Sequence, residues 1–270
     1  MPEADLQLLT DAARAAGDIA HRFWRAAPRA WDKPDGGGPV SEADLAVNDY
    51  LQQHLCAARP RYGWLSEESP DGATARMAHE RVFVVDPIDG TRAFLAGQAE
   101  FAHSLAVVAQ GRVTAAVVYL PERGLIYAAS ASGPARLNGQ ILATPAATPV
   151  QGATVLAPAA VTRPEHWRSG AAPSFVRAFR PSLAWRLCLV AEGQFDAVLT
   201  LRPAWEWDIA AGALIAARAG VTVSDRSGGD LVFNRSRPQS DGLLAAPAAL
   251  HAELLHALLP PDGPAMAPPG

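Results

Sequence analysis

The 270-residue sequence has little cysteine and little excess charge. Its two cysteines, Cys56 and Cys188, exclude a disulfide-stabilised framework and favour a reducing compartment. The formal net charge is −4, so no broad positive surface would attract a nucleic acid polymer or an anionic membrane. The longest apolar stretches, such as IAAGALIAA, are too short to cross a bilayer. We therefore expect neither a nucleic acid nor a membrane as partner.

Several common catalytic motifs are also missing. The histidines show no zinc-ligand spacing, the glycines at 36–38 are not followed by the Lys-Ser/Thr pair of a P-loop, and no Gly-x-Ser-x-Gly motif is present. These absences disfavour zinc hydrolases, P-loop enzymes and serine hydrolases. The N-terminus lacks a basic segment followed by an apolar one, so we expect no signal peptide and a cytoplasmic protein.

The remaining composition is typical of a globular chain, with 49% apolar and 19% charged residues. Helical spacing of apolar residues predicts helices over 4–27, 41–58, 182–193 and 205–220, and short apolar runs between them predict strands, including one at 230–234. Ser41 and Asp44 are spaced like a capping box. Trp205 and Trp207 are expected to pack rather than to stack on a base. The alternation predicts a mixed α and β protein.

Four carboxylates stand where predicted strands end or a predicted helix begins: Glu67, Asp86, Asp89 and Asp208. α/β proteins build sites at such positions. If the four meet, like charges about 4 Å apart repel by about 4 kcal/mol even at an effective dielectric of about 20. A hard cation such as Mg²⁺ would then neutralise them. Taken singly, an Asp-x-x-Asp pair is commonly turn chemistry and Asp208 is commonly a helix N-cap, so spacing alone leaves both interpretations open.

A candidate anion site follows the same strand. Gly90 and Thr91 stand at the start of a predicted helix, where free backbone N–H groups and the helix dipole favour an anion. Metal ions beside an anion site indicate a phosphate ester.

Three segments carry a specific resemblance: DPIDGT at 86–91, SEE at 66–68 and WDIAAG at 207–212. Together they resemble the inositol monophosphatase superfamily, the lithium-sensitive, Mg²⁺-dependent phosphatases. This resemblance implies an α/β (α+β) fold, a layered αβαβα sandwich of the inositol monophosphatase/fructose-bisphosphatase type. We expect an N-terminal subdomain over 1–130 with most of the metal ligands, a C-terminal subdomain over 131–259 and a disordered tail over 260–270.

The resemblance also implies residue roles. The expected metal ligands, for two or three Mg²⁺ ions with Asp86 bridging two of them, are Glu67, Asp86, the Ile88 carbonyl, Asp89 and Asp208. Thr91, paired with Asp44, and Glu67 would orient or deprotonate the attacking water. The amides of Gly90 and Thr91 would hold the phosphate. Glu68 matches a more peripheral acid of the family.

Two arginines bear on the substrate. Arg92 follows DPIDGT, and SLAWRLCLVAEG, with Arg186, resembles a segment of the CysQ-type 3′(2′),5′-bisphosphate nucleotidases. Arg186 either meets a substrate phosphate or is a surface helix residue. The expected substrate is a small phosphorylated molecule, most simply adenosine 3′,5′-bisphosphate. Inositol-1-phosphate, histidinol phosphate and a catalytically silent phosphate-binding role remain alternatives, and a homodimer is left open.

Overall fold

The computed structural model describes residues 2–34, 36–143 and 145–260. The predicted disordered tail lies, from residue 261 onward, outside the described residues. The helices of the described part are α1 Pro2–Phe23, α2 Glu42–Ala58, α3 Ala73–Met77, α4 Thr91–Leu95, α5 Leu183–Ala191, α6 Glu206–Arg218 and α7 Ala248–Ala257. Across these residues, no helix combines the length and hydropathy needed to cross a bilayer.

The strands are interspersed with the helices along the chain. They are β1 Ala30–Asp32, β2 Pro39–Ser41, β3 Gly63–Ser66, β4 Arg81–Asp89, β5 Ala102–Ala109, β6 Arg112–Leu120, β7 Leu125–Ser130, β8 Arg136–Leu137, β9 Gln140–Ile141, β10 Thr154–Leu156, β11 Val176–Ala178, β12 Ala197–Thr200, β13 Ala204–Trp205, β14 Thr222–Ser224, β15 Gln239–Ser240 and β16 Leu243–Ala246.

Two larger sheets organise these strands. Strands β3 to β9 form a seven-stranded sheet in chain order, in which β3 and β4 are parallel and the other pairs antiparallel. The second sheet has five strands in the order β11-β10-β12-β16-β14. The seven-stranded sheet runs past residue 130 to Ile141, and the expected division into subdomains stays a prediction.

Side-chain alternation along the strands explains the layering. In β4, Phe83 and Val85 pack against α1 and α2, whereas Val84 faces the opposite side, toward α5 and α6. The side of β4 that carries Val84 belongs to a central core, which lies between the two sheets and includes α5 and α6. The smaller sheet contributes Val198 to this central core, and on its other face Leu199 packs against α7. The order is helices, sheet, helices, sheet, helix, which confirms the predicted αβαβα sandwich.

The capping box was predicted correctly, because the Ser41 side chain accepts from the α2 backbone and Asp44 reaches back to the Ser41 amide. Two local predictions are wrong. Residues 230–234 form no strand: the amide of Phe233 donates to Gly111 at 3.0 Å and that of Asn234 to the Glu206 carboxylate at 2.6 Å. These contacts use the backbone donors that a strand ladder would need.

The second wrong prediction concerns Asp208, which was expected as a helix N-cap and does not occupy that position. Helix α6 begins at Glu206 with Trp205 in the cap position, which places Asp208 third in the helix. Its carboxylate is therefore not needed as a cap and is free for another role.

Candidate active site

The parallel strands β3 and β4 end side by side, and their acidic residues meet at this edge of the sheet. The amide of Glu67 donates to the Val85 carbonyl at 3.2 Å, which extends the pairing one residue beyond β3. Glu67 is two residues after Leu65, whose side chain lies in the central core, so alternation directs Glu67 toward the same face.

A bulge in β4 aligns Asp86 with Asp89. Positions three apart in a regular strand point to opposite faces. Here Asp86 pairs with Ser104 and Asp89 with Ala102, so β4 contains one residue more than β5 over this stretch. The extra residue resets the alternation, and both carboxylates face the layer formed by α5 and α6.

The carboxylates of Glu67, Asp86 and Asp208 converge, with one oxygen of each lying within 4.8 Å of the others. Burial raises the pKa of Asp86 well above its ordinary value, and the neighbouring carboxylates raise it further. The pKa of Asp208 is raised by the same two causes. Because a cation between the groups would relieve this repulsion, the donor set fits an oxygen-preferring divalent metal.

Close packing of α6 places Asp208 in this cluster. The hydroxyl of Ser104 donates to the Trp207 carbonyl at 2.8 Å, which ties the first turn of α6 to β5. Farther along, a Cβ on Gly212 would lie only 2.7 Å from the Leu187 side chain. The glycine of WDIAAG thus allows α5 and α6 to approach each other closely.

Asp89 is held by the start of α5. Its Oδ2 accepts from the Ser182 hydroxyl at 2.6 Å and from the Ala184 amide at 2.7 Å. Burial raises the pKa of Asp89 to about 6, although these two hydrogen bonds lower it. The other oxygen of Asp89 takes part in neither contact and can serve as a ligand.

Asp44 and Thr91 form the predicted pair. The Thr91 hydroxyl lies 3.1 Å from Asp44 Oδ1 and 3.2 Å from the Ile88 carbonyl. The other Asp44 oxygen accepts from the Ser41 amide at 2.8 Å and from the Ser41 hydroxyl at 2.5 Å. Burial raises the pKa of Asp44, and its hydrogen bonds to Ser41 and Thr91 oppose that shift.

The turn between Asp89 and Thr91 depends on Gly90. Its φ is +101°, and a Cβ there would lie 3.2 Å from the Glu100 carbonyl oxygen. Below the turn, the fully buried His103 contacts the Pro87 carbonyl through Nδ1. Both features fix the path of the chain between the two aspartates.

Lys33 also contacts the acidic edge, which the sequence did not predict. Its Nζ lies 2.7 Å from Glu67 Oε1 and 2.8 Å from Glu68 Oε1. Burial opposes the charged ammonium, but the two glutamates raise its pKa above the ordinary value. Burial also raises the pKa of Glu68, to about 7, against the effect of Lys33.

The two arginines differ in their environments. Arg186 is only 6% exposed, so its interpretation as a surface residue is wrong. Its Nε donates to the Arg180 carbonyl at 2.5 Å, its Nη2 to Pro181 at 3.3 Å, and its guanidinium stacks over Phe179. Arg92 is exposed on α4.

Sequence reasoning missed Lys33, Ser182 and His103 as contributors to this region. Ser182 alone carried a local signal, because it is the first residue of a predicted helix, where a Ser N-cap is common. It does cap α5, accepting from the Trp185 amide at 3.0 Å. Nothing local links Lys33 or His103 to residues 86–91.

Comparisons with known proteins show which family this chain resembles in sequence and in fold. Residues 2–260 match the model of the inositol monophosphatase family. A 3′(2′),5′-bisphosphate nucleotidase CysQ of Salmonella typhimurium is 31% identical over 84% of this chain and 93% of its own length. An inositol-1-monophosphatase of Rhizobium meliloti is 34% identical over 70% of this chain and 73% of its own.

Solved structures are similar as well. The extragenic suppressor protein SuhB of Bartonella henselae superposes with a TM-score of 0.78 at 26% identity, over 94% of this chain and 97% of that one. An IMPase of Thermotoga maritima gives a TM-score of 0.79 at 23% identity, over 95% and 96% of the two chains.

Proposed function

The chain belongs to the inositol monophosphatase family and is a phosphomonoester hydrolase, and we propose that it is a Mg²⁺-dependent 3′(2′),5′-bisphosphate nucleotidase. The proposed reaction converts adenosine 3′,5′-bisphosphate and water to AMP and phosphate. The relatives of this chain include both CysQ nucleotidases and inositol monophosphatases, so the family alone does not identify the substrate. The choice of substrate therefore rests on residues of this chain.

The observation that carries the metal assignment is the convergence of Glu67, Asp86 and Asp208, whose carboxylates repel one another when charged. Two or three Mg²⁺ ions would be held by these three residues together with the Ile88 carbonyl and Asp89. When bound, the metal would activate the attacking water and stabilise charge on the oxygens of the transferred phosphate.

Thr91 and Asp44 support a proton-handling role beside this cluster. The Thr91 hydroxyl can accept a hydrogen bond from the attacking water while it donates to Asp44 Oδ1. Asp44 stays oriented because its other oxygen is held by Ser41. Together with Glu67, the pair would orient the water and draw off its proton, as general bases do. The amides of Gly90 and Thr91 would hold the phosphate.

Arg186 supports the choice of a bisphosphate. A second phosphate needs a cation other than metals engaged with the scissile group. The Arg186 guanidinium is fixed by two backbone carbonyls and by Phe179, and its Nη1 takes part in neither of those hydrogen bonds. A fixed guanidinium binds phosphate with little further loss of side-chain entropy. Arg92, exposed on α4, would have a peripheral role.

The test compares two substrates in two proteins. Arg186→Ala should lower kcat/KM for adenosine 3′,5′-bisphosphate by roughly ten- to a hundredfold, or about 1.4–3 kcal/mol. It should change kcat/KM for inositol-1-phosphate much less. Arg177→Ala, which removes an exposed arginine of β11, is the matched control.

Two of the alternatives have their own outcome in this assay. A wild type that prefers inositol-1-phosphate, or an Arg186→Ala variant that loses both activities equally, would replace the nucleotidase assignment with an inositol phosphatase. Hydrolysis of neither ester with Mg²⁺ would favour a phosphate-binding role. We also propose a cytoplasmic homodimer, for which the solution mass by analytical ultracentrifugation tests the assembly.

A further inference from the structure

An exposed indole stands at the start of α6, the helix that carries Asp208. The rings of Trp205 and Trp207 stack with centroids 4.6 Å apart and an angle of 9° between their planes. Trp207 is 9% exposed and belongs to the central core, whereas Trp205 is 40% exposed. One face of Trp205 is therefore covered by Trp207, and the ring remains open to solvent elsewhere.

The backbone fixes the position of this ring. Trp205 pairs with Gln239 in the two-stranded β13–β15 sheet and is the N-cap residue of α6. The backbone that carries this side chain is therefore held by both a strand pairing and a helix. The adjacent Glu206 points elsewhere, since its carboxylate accepts from the amides of Asn234 and Arg235 at 2.6 Å and 3.0 Å.

The ring and one carboxylate of the cluster share the start of α6. Trp205 is the N-cap residue and Asp208 is the third residue of this helix, and these two positions lie close together, as the reciprocal contacts of a capping box show. Asp208 belongs to the cluster with Glu67 and Asp86. A ligand whose phosphate lies at this cluster can thus place a planar group near Trp205.

A cation accompanies the ring. Arg202 is exposed and lies three residues before Trp205. Positive charge and an aromatic plane therefore occur together on the segment that leads into α6.

We propose that Trp205 is a stacking platform for the base of a nucleotide bound at the carboxylate cluster. This proposal rests on the proposed function, because it assumes a nucleotide ligand. Bases stack on aromatic side chains whatever their hydrogen-bonding pattern. The platform would therefore distinguish nucleotides from esters without an aromatic ring, and it would do so without selecting one base.

Two ligands that differ only in the base test this platform. With saturating Mg²⁺, the dissociation constants of adenosine 5′-monophosphate and ribose 5-phosphate are measured by isothermal titration calorimetry. Wild type should bind the nucleotide roughly tenfold more tightly, and Trp205→Ala should remove most of that difference. Trp205→Phe should retain it, and Ile141→Ala, which removes an exposed apolar side chain of β9, should leave it unchanged.

The platform and the proposed function fail separately. A wild type that binds both ligands equally, or a Trp205→Ala variant that weakens both equally or neither, overturns the platform. If Trp205 carries the discrimination but adenosine 3′,5′-bisphosphate is hydrolysed no better than inositol-1-phosphate, the nucleotidase assignment is wrong and the platform stands.

Discussion

The replacement Asp44→Asn keeps the shape of the side chain, but an amide can accept hydrogen bonds at only one of its two ends, whereas the carboxylate accepts at both. In the structure, one carboxylate oxygen accepts twice from Ser41 and the other faces the Thr91 hydroxyl at 3.1 Å. An asparagine amide has one acceptor and one donor. Its oxygen should face Ser41, where two donors converge, so its NH₂ group should face Thr91.

This orientation reverses the hydrogen bond to Thr91. The hydroxyl oxygen would accept from the amide, and its hydrogen would turn to the Ile88 carbonyl, which already lies 3.2 Å away. The Thr91 hydroxyl could then no longer donate its hydrogen to residue 44 while it accepts a hydrogen bond from the attacking water. Loss of such general-base assistance typically lowers kcat by roughly 10²- to 10⁴-fold, which corresponds to about 3–5 kcal/mol in the barrier.

The assay is phosphate release at saturating Mg²⁺ and substrate. We expect kcat to fall while KM and the melting temperature change little, because the amide retains the contacts to Ser41. Asp49→Asn, the same substitution at an exposed position of α2, is the matched control and should be neutral. Near wild-type kcat in Asp44→Asn would refute the proton-handling role of this pair.

Two further predictions concern the surroundings of the site. Lys33→Met removes the ammonium that pairs with Glu67 and Glu68, so calorimetry at low ionic strength should show roughly tenfold tighter Mg²⁺ binding; equal or weaker binding would argue against competition between ammonium and metal. Burial lowers the pKa of His103 to about 4, whereas the same side chain in the unfolded protein has a pKa of about 6.5. Stability from this group is therefore present above the unfolded pKa and lost as pH falls toward the folded one, by about 2 kcal/mol between pH 7 and pH 5. In urea unfolding, the free energy of unfolding of His103→Gln should fall less than that of wild type between pH 7 and pH 5. Equal losses in the two proteins would contradict this prediction.

The sequence predicted those parts of the site that short segments carry. The capping box of Ser41 and Asp44 follows from residues three apart. The layered architecture was implied by the family resemblance, since the alternating elements alone predict only a mixed α and β protein. The convergence of Glu67, Asp86 and Asp208 was expected from the family resemblance, since spacing alone left turn chemistry and helix capping open as well.

The rest depends on contacts between distant segments. The bulge that aligns Asp86 with Asp89 depends on pairing with β5. The sequence left open whether Arg186 meets a phosphate or lies on the surface, whereas in the structure its guanidinium is bound by the loop before α5. The error at 230–234 has the same origin, because Glu206 and Gly111 take the amides that strand propensity assigned to a sheet.

The central claim is that the buried carboxylates form a Mg²⁺ site, and Mg²⁺ binding to Asp86→Asn and Asp208→Asn tests it most directly. Burial and mutual repulsion raise the pKa values of both groups, so each charged carboxylate destabilises the fold at neutral pH. We predict that each variant loses at least roughly tenfold in calorimetric Mg²⁺ affinity and, without Mg²⁺, melts at or above the wild-type temperature. Mg²⁺ affinity equal to wild type in both variants would contradict the claim.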